Sequence, residues 1–213
     1  MEPRLSSDER LATLRALTER KAVYQRRFAW TGLIGGSLSI LTAGLMFVND
    51  EFTQFLDRPV RPREFASGWI FVFAITVSVG VLFSAGAARK RGESLPSARM
   101  KLVLGTIAPY LIIPAAFTGW FFATGYLGGA ELDLTVVWIA FYGLLLLSTT
   151  LFAPRSIALL GWVFLLSAVS VPLLEDRLNL WTDDVPDVLM GATFGLYHLV
   201  YAALNWRRNA ASQ

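Results

Sequence analysis

The sequence contains no cysteine and a single histidine, His198. The first absence excludes disulfides, thiolate chemistry, iron–sulfur clusters and Cys-ligated zinc. The second excludes bis-His haem ligation within one copy, and Met46 and Met190 sit too near one end of their apolar stretches to serve as axial partners. Charge is scarce: Asp, Glu, Lys and Arg make up 16% of the 213 residues, where soluble domains carry about 25%. With 54% hydrophobic residues and a mean hydropathy of +0.51, the composition excludes a soluble globular enzyme, a disordered protein and a disulfide-stapled secreted module. No phosphate-cradling Gly loop with its Lys, no zinc-ligand spacing and no nucleophile elbow occurs.

Long apolar runs are what the sequence does have. Six stretches, at about 29–48, 67–88, 102–123, 134–153, 156–173 and 187–206, are each long enough to cross a membrane, since about 20 apolar residues span the ~30 Å hydrocarbon core. The first five hold no Asp, Glu, Lys or Arg. In the sixth only the opening residue, Asp187, is charged, and it counts with the acidic outer loop 174–187. That loop reads as solvated, with a calcium site as the weaker alternative.

The charges alternate from side to side. Fifteen of the nineteen basic residues fall in 1–28, the second loop, Arg155 and the tail, together with five of the sixteen acids. The other side holds only Arg58, Arg61, Arg63 and Arg177, with eleven acids. Basic residues stay on the cytoplasmic side, which predicts a multi-pass membrane protein with both termini inside. Trp69, Trp120, Trp138 and Trp181 then fall near the outer interface and Trp30 and Trp206 near the inner one, as an aromatic belt requires. The pI near 9.4 follows from this topology and calls for no nucleic acid.

The predicted fold is all-α: a six-helix transmembrane bundle over 29–206, preceded by a cytoplasmic amphipathic helix in 1–28 and followed by a cytoplasmic tail, 207–213. The first apolar run follows a basic region of nearly 28 residues and no small-x-small site comes after it, so it reads as a retained span and not as a signal peptide. Ser6 and Glu9 form a capping box, and Leu14, Leu17, Tyr24 and Phe28 then line one stripe. Residues 7–27 are read either as an interfacial helix held by anionic lipid or as a docking helix for a protein partner or a second copy. Spans two and four both begin with Trp-Ile (Trp69-Ile70, Trp138-Ile139), which leaves a parallel three-hairpin repeat open.

Polar chemistry inside the spans is sparse. Gly191, Gly195, His198, Ala202 and Asn205 share a helical face, which points His198 into the bundle beside Tyr197 and Tyr201. A buried imidazole there is either a hydrogen-bonded packing group, a pocket residue or a haem or metal ligand. Pro109 and Pro114, flanking Tyr110, kink the third span. The kink predicts either a bent packing helix or one wall of a small apolar cavity whose polar groups are Thr106, Tyr110 and His198. Gly32-x-x-x-Gly36, Gly80 with Ser84, and Gly191-x-x-x-Gly195 read as helix-packing seams. No catalytic constellation, cofactor site or metal site is expected.

Phe141-Tyr142-Gly143-Leu144, the turn at Pro154-Arg155, Leu160-Gly161, and Gly195-Leu196-Tyr197-His198-Leu199-Val200-Tyr201 followed by Arg207-Arg208 resemble a group of uncharacterised six-span bacterial inner-membrane proteins. These also begin with a charged Leu-rich helix and a Gly-rich first span. The resemblance implies no established activity; the frequent neighbourhood of such proteins with winged-helix regulators implies a sensing or response role. Three functions are weighed: a non-enzymatic binding, sensory or accessory membrane protein working through helix packing and the docking helix; a transporter or binder of a lipid or lipophilic small molecule; and an intramembrane enzyme, which would need a second group beside His198.

Overall fold

The computed structural model describes residues 29–49, 62–90, 98–124, 131–151, 153–178 and 185–210. The N-terminal segment with its proposed amphipathic helix and the loop carrying Trp181 lie outside these residues. The described residues are helical apart from a short link at 153–154. They form α1 (Ala29–Asn49), α2 (Pro62–Lys90), α3 (Ala98–Thr124), α4 (Glu131–Ser148), a 3-10 turn (Thr149–Leu151), α5 (Arg155–Leu178), α6 (Val185–Met190), a π-helical segment (Gly191–Tyr197) and α7 (His198–Ala210). The last three run on as one rod. Six stretches are thus long and apolar enough to cross a membrane, the sixth being Val185–Trp206.

Length and apolarity explain why helices form. In hydrocarbon each backbone N–H and C=O needs an intrachain partner, and an α-helix supplies all of them locally. The helices then leave much of their apolar surface outward. Leu82, Leu173 and Leu41 are 70%, 71% and 59% exposed, a coat that is stable against acyl chains and adhesive in water.

Helix α4 is the hub. Ile139 and Thr135 on it are fully buried, and it packs against α2, α3, α5 and α6. One core cluster gathers Phe65, Ala66, Trp69 and Val72 of α2 with Ala43, Phe121, Leu134 and Met190. A second gathers Ile139 and Leu146 of α4 with Ile157, Leu160, Phe164 and Ala168 of α5 and Tyr201 of α7. Phe194 packs against both. The α4–α5 contact is close: a Cβ on Gly143 would lie 3.0 Å from the Gly161 carbonyl oxygen, and one on Gly161 would lie 3.0 Å from the Gly143 oxygen. The two backbones meet directly because neither residue carries a side chain.

The first and last spans clasp in antiparallel fashion. Along α1, Gly32 faces the His198 carbonyl, Gly36 faces Gly195, Gly195 faces Ile40 and Gly191 faces Ala43. Trp30 and Trp206 close one end of this seam with ring centroids 5.1 Å apart. On its other side α1 meets α2, where Gly35 abuts Thr76, Gly80 lies near Thr31 and Met46 reaches Gly68.

Candidate functional site

The central polar group of the bundle is His198, the first residue of α7. Its Nε2 lies 2.7 Å from the Tyr142 hydroxyl of α4. Its Nδ1 is buried and meets no hydrogen-bond partner among the described residues. Phe164 meets the imidazole edge-on with centroids 5.6 Å apart, Phe194 stacks on it at 6.4 Å, and Tyr142 is tilted at 5.4 Å. The ring therefore sits in an aromatic cage with one hydroxyl partner.

The π-helical segment before His198 shapes this cage. Its wider turn occurs where Gly191 and Gly195 let α1 approach the backbone, and it places Phe194 against Tyr142 and Phe164, at 4.9 and 5.2 Å. A strict α-helical count from Gly191 to Asn205 would not foresee that shift. Ala202 and Asn205 are nonetheless both buried, at 3% exposure.

The neighbouring tyrosines are also tied across helices. Tyr197 and Ser167 of α5 share a hydrogen bond of 3.0 Å, and Ser156 of α5 donates to the Tyr201 hydroxyl at 3.5 Å. Trp138 of α4 donates its indole N–H to Thr118 of α3 at 2.9 Å. These bonds link α4, α5, α3 and the sixth rod through a small set of polar side chains.

The third span stands differently from the cavity expectation. The partners of the His198 ring come from α4, α5 and the sixth rod, while α3 joins the bundle through α4 and the 3-10 turn. Pro109 is exposed, and Pro114, Tyr110 and Thr106 are only partly buried. The structure thus groups His198 with Tyr197 and Tyr201 but not with Thr106, Pro109, Tyr110 or Pro114. The half of α3 that carries the two prolines is exposed or partly buried and supplies none of the aromatic partners of the His198 ring. Of the predicted packing positions, Gly32, Gly36, Gly191 and Gly195 meet along one seam, and Gly80 faces α1. The Ser84 side chain lies outside the described ones.

A groove of about 400 Å³ opens at the other end of α3. Phe117, Trp120 and Phe121 of α3, Val136 and Val137 of α4, and Val171 and Pro172 of α5 line it, together with Asp133. Pro172 leaves the Ala168 carbonyl without its helical donor.

Asp187 departs from the solvated-loop reading. It is 1% exposed, and the Trp69 indole N–H donates to its Oδ1 at 3.4 Å. Trp69, expected at a lipid headgroup, is itself 3% exposed and packed in the core. The sequence hint was positional: Asp187 follows Pro186 in the first turn of α6, where the helix dipole favours a carboxylate. Tyr142 gave a weaker hint, as a lone hydroxyl in mid-span. Among the described residues no group of three His, Cys, Asp or Glu gathers to hold a metal ion. No family model, no curated protein and no solved structure matches the chain.

Proposed function

We propose that this is a non-enzymatic membrane protein of binding, sensory or accessory type, working through helix packing and a docking helix over 7–27. One observation carries the reading. Several polar side chains at depth are spent on one another, as His198 on Tyr142, Tyr197 on Ser167, and Trp138 on Thr118. Such bonds hold helices in register, whereas a reaction centre needs groups aimed at a space a substrate can enter. The fifteen basic residues assigned to one side support a topology with both termini in the cytoplasm and 7–27 on the surface that soluble partners reach.

Native mass spectrometry of the protein, extracted from its own membrane in mild detergent, tests this. A fixed oligomer or a stoichiometric partner protein is expected, lost on deletion of 1–27 and retained in His198→Ala. A bare monomer, or an assembly indifferent to that deletion, overturns the reading.

The groove beside α3 favours a second reading, that of a binder or transporter of a lipophilic molecule. Its lining is mostly aromatic and branched aliphatic, the usual composition of sites for apolar ligands.

A further inference from the structure

The groove between α3, α4 and α5 has an uneven lining. Its apolar wall is continuous, yet it includes the carboxylate of Asp133 and no lysine or arginine. Asp133 is exposed and has no hydrogen-bond or ion-pair partner among the described residues. It stands in the first turn of α4 beside Glu131, which already supplies a negative charge to that helix end.

The aromatic side of the groove matches a cation. Phe117, Trp120 and Phe121 form a mutual cluster with centroids 4.8 to 5.8 Å apart. Trp120 is 53% exposed, so part of its indole remains free for a ligand. Aromatic faces attract ammonium groups, most strongly at Trp, and a nearby free carboxylate adds to that attraction. A phospholipid headgroup would bring a phosphate as well, and the lining offers it only a like-charged carboxylate.

We propose that this groove binds a lipophilic monocation: an ammonium compound whose charge lies near Asp133 and Trp120 and whose apolar body fills the wall of Val136, Val137 and Pro172. The proposal rests on the ligand-binding reading and names the chemical class of that ligand. It requires no covalent step.

The test uses the full chain in nanodiscs of phosphatidylcholine. Two probes of equal shape are titrated by calorimetry: a phenylbutyl-trimethylammonium ion and its uncharged isostere, in which tert-butyl replaces trimethylammonium. The wild type is expected to bind the cation roughly tenfold more tightly, about 1.4 kcal/mol. Asp133→Asn and Trp120→Leu should each bring the ratio toward one, and Asp133→Glu should restore it. Asp133 and Trp120 are exposed, and unchanged thermal unfolding of each variant shows that the fold is kept. Equal binding of both probes overturns the charge inference and leaves the ligand-binding reading standing. Binding of neither probe overturns both. A ratio untouched by either substitution places the cation elsewhere and overturns the site. Loss of cation binding in nanodiscs enriched in phosphatidylethanolamine makes the occupant a lipid, which also overturns the proposal.

Discussion

The glycines of α1 offer a graded experiment within one helix. A Cβ on Gly36 would stand 2.9 Å from the Gly195 carbonyl oxygen and 3.2 Å from both the His198 Cβ and the Leu199 Cδ2. An unstrained carbon-to-oxygen approach is about 3.3–3.6 Å, so the helices must part by roughly half an ångström. The closest obstacle is backbone, which cannot swing aside as a side chain does. Overpacking of this kind costs about 1–3 kcal/mol, offset by up to ~1 kcal/mol from replacing Gly within a helix. Gly44 has nothing within 4 Å of its virtual Cβ, and Gly32 has its nearest neighbour, the His198 oxygen, at 3.4 Å. The expected order of stability is therefore Gly44→Ala at or above wild type, Gly32→Ala close to it, and Gly36→Ala clearly below. Thermal unfolding in one fixed detergent, followed by circular dichroism, reads the series at about 2–4 °C per kcal/mol. If Gly36→Ala unfolds at the temperature of Gly44→Ala, the clasp between the first and sixth spans is not as described.

Other expectations follow from the same geometry. A double-mutant cycle with Tyr142→Phe and His198→Ala should give a coupling of roughly 0.6–1.7 kcal/mol in detergent unfolding; a coupling near zero would remove the hydrogen bond from the account. Trp69→Phe takes the indole donor from the buried Asp187 and should cost about 1–3 kcal/mol, whereas Trp162→Phe, at a residue 56% exposed, should leave the unfolding temperature nearly unchanged. Equal effects of the two would argue against a buried Trp69–Asp187 bond. Since the chain has no cysteine, single thiols report topology without background. Asp57→Cys and Asp183→Cys should react with an impermeant maleimide on intact cells, and Asp8→Cys only after permeabilisation. The reverse pattern would invert the assigned orientation.

What was legible in the sequence follows the range of the forces involved. The six spans could be read because burial in hydrocarbon acts on each segment separately: 29–48 needs no knowledge of 187–206 to be recognised as apolar. The glycine pairs of α1 and the sixth rod were visible as seams, but which seam faces which depends on the arrangement of all six helices. Gly143 and Gly161 stood out only as parts of short motifs, though they bring the backbones of α4 and α5 into direct contact. Asp187 misled because a charged residue beside a loop is usually wet. Its burial depends on the Trp69 indole 118 positions away, which local pattern cannot supply. The π-helical turn at Gly191–Tyr197 was hidden for a related reason. It has no periodicity of its own and arises where a second backbone presses close. Pro109 and Pro114 lie inside α3, which runs as one helix from Ala98 to Thr124, while the neighbours that this stretch of α3 meets were not encoded locally.

The meeting of Gly36 with Gly195 also sets an order of manufacture. The strip of α1 that ends as its tightest interface is made early, and its partner emerges on the order of ten seconds later at ~5–20 residues per second. Until then α1 has α2 as its neighbour, through Gly35 and Thr76, and its other glycine face is open to lipid. The bundle is thus sealed by its last span. A chain cut short before residue 185 keeps five apolar helices and leaves the face of α1 at Gly32 and Gly36 without the rod that covers it.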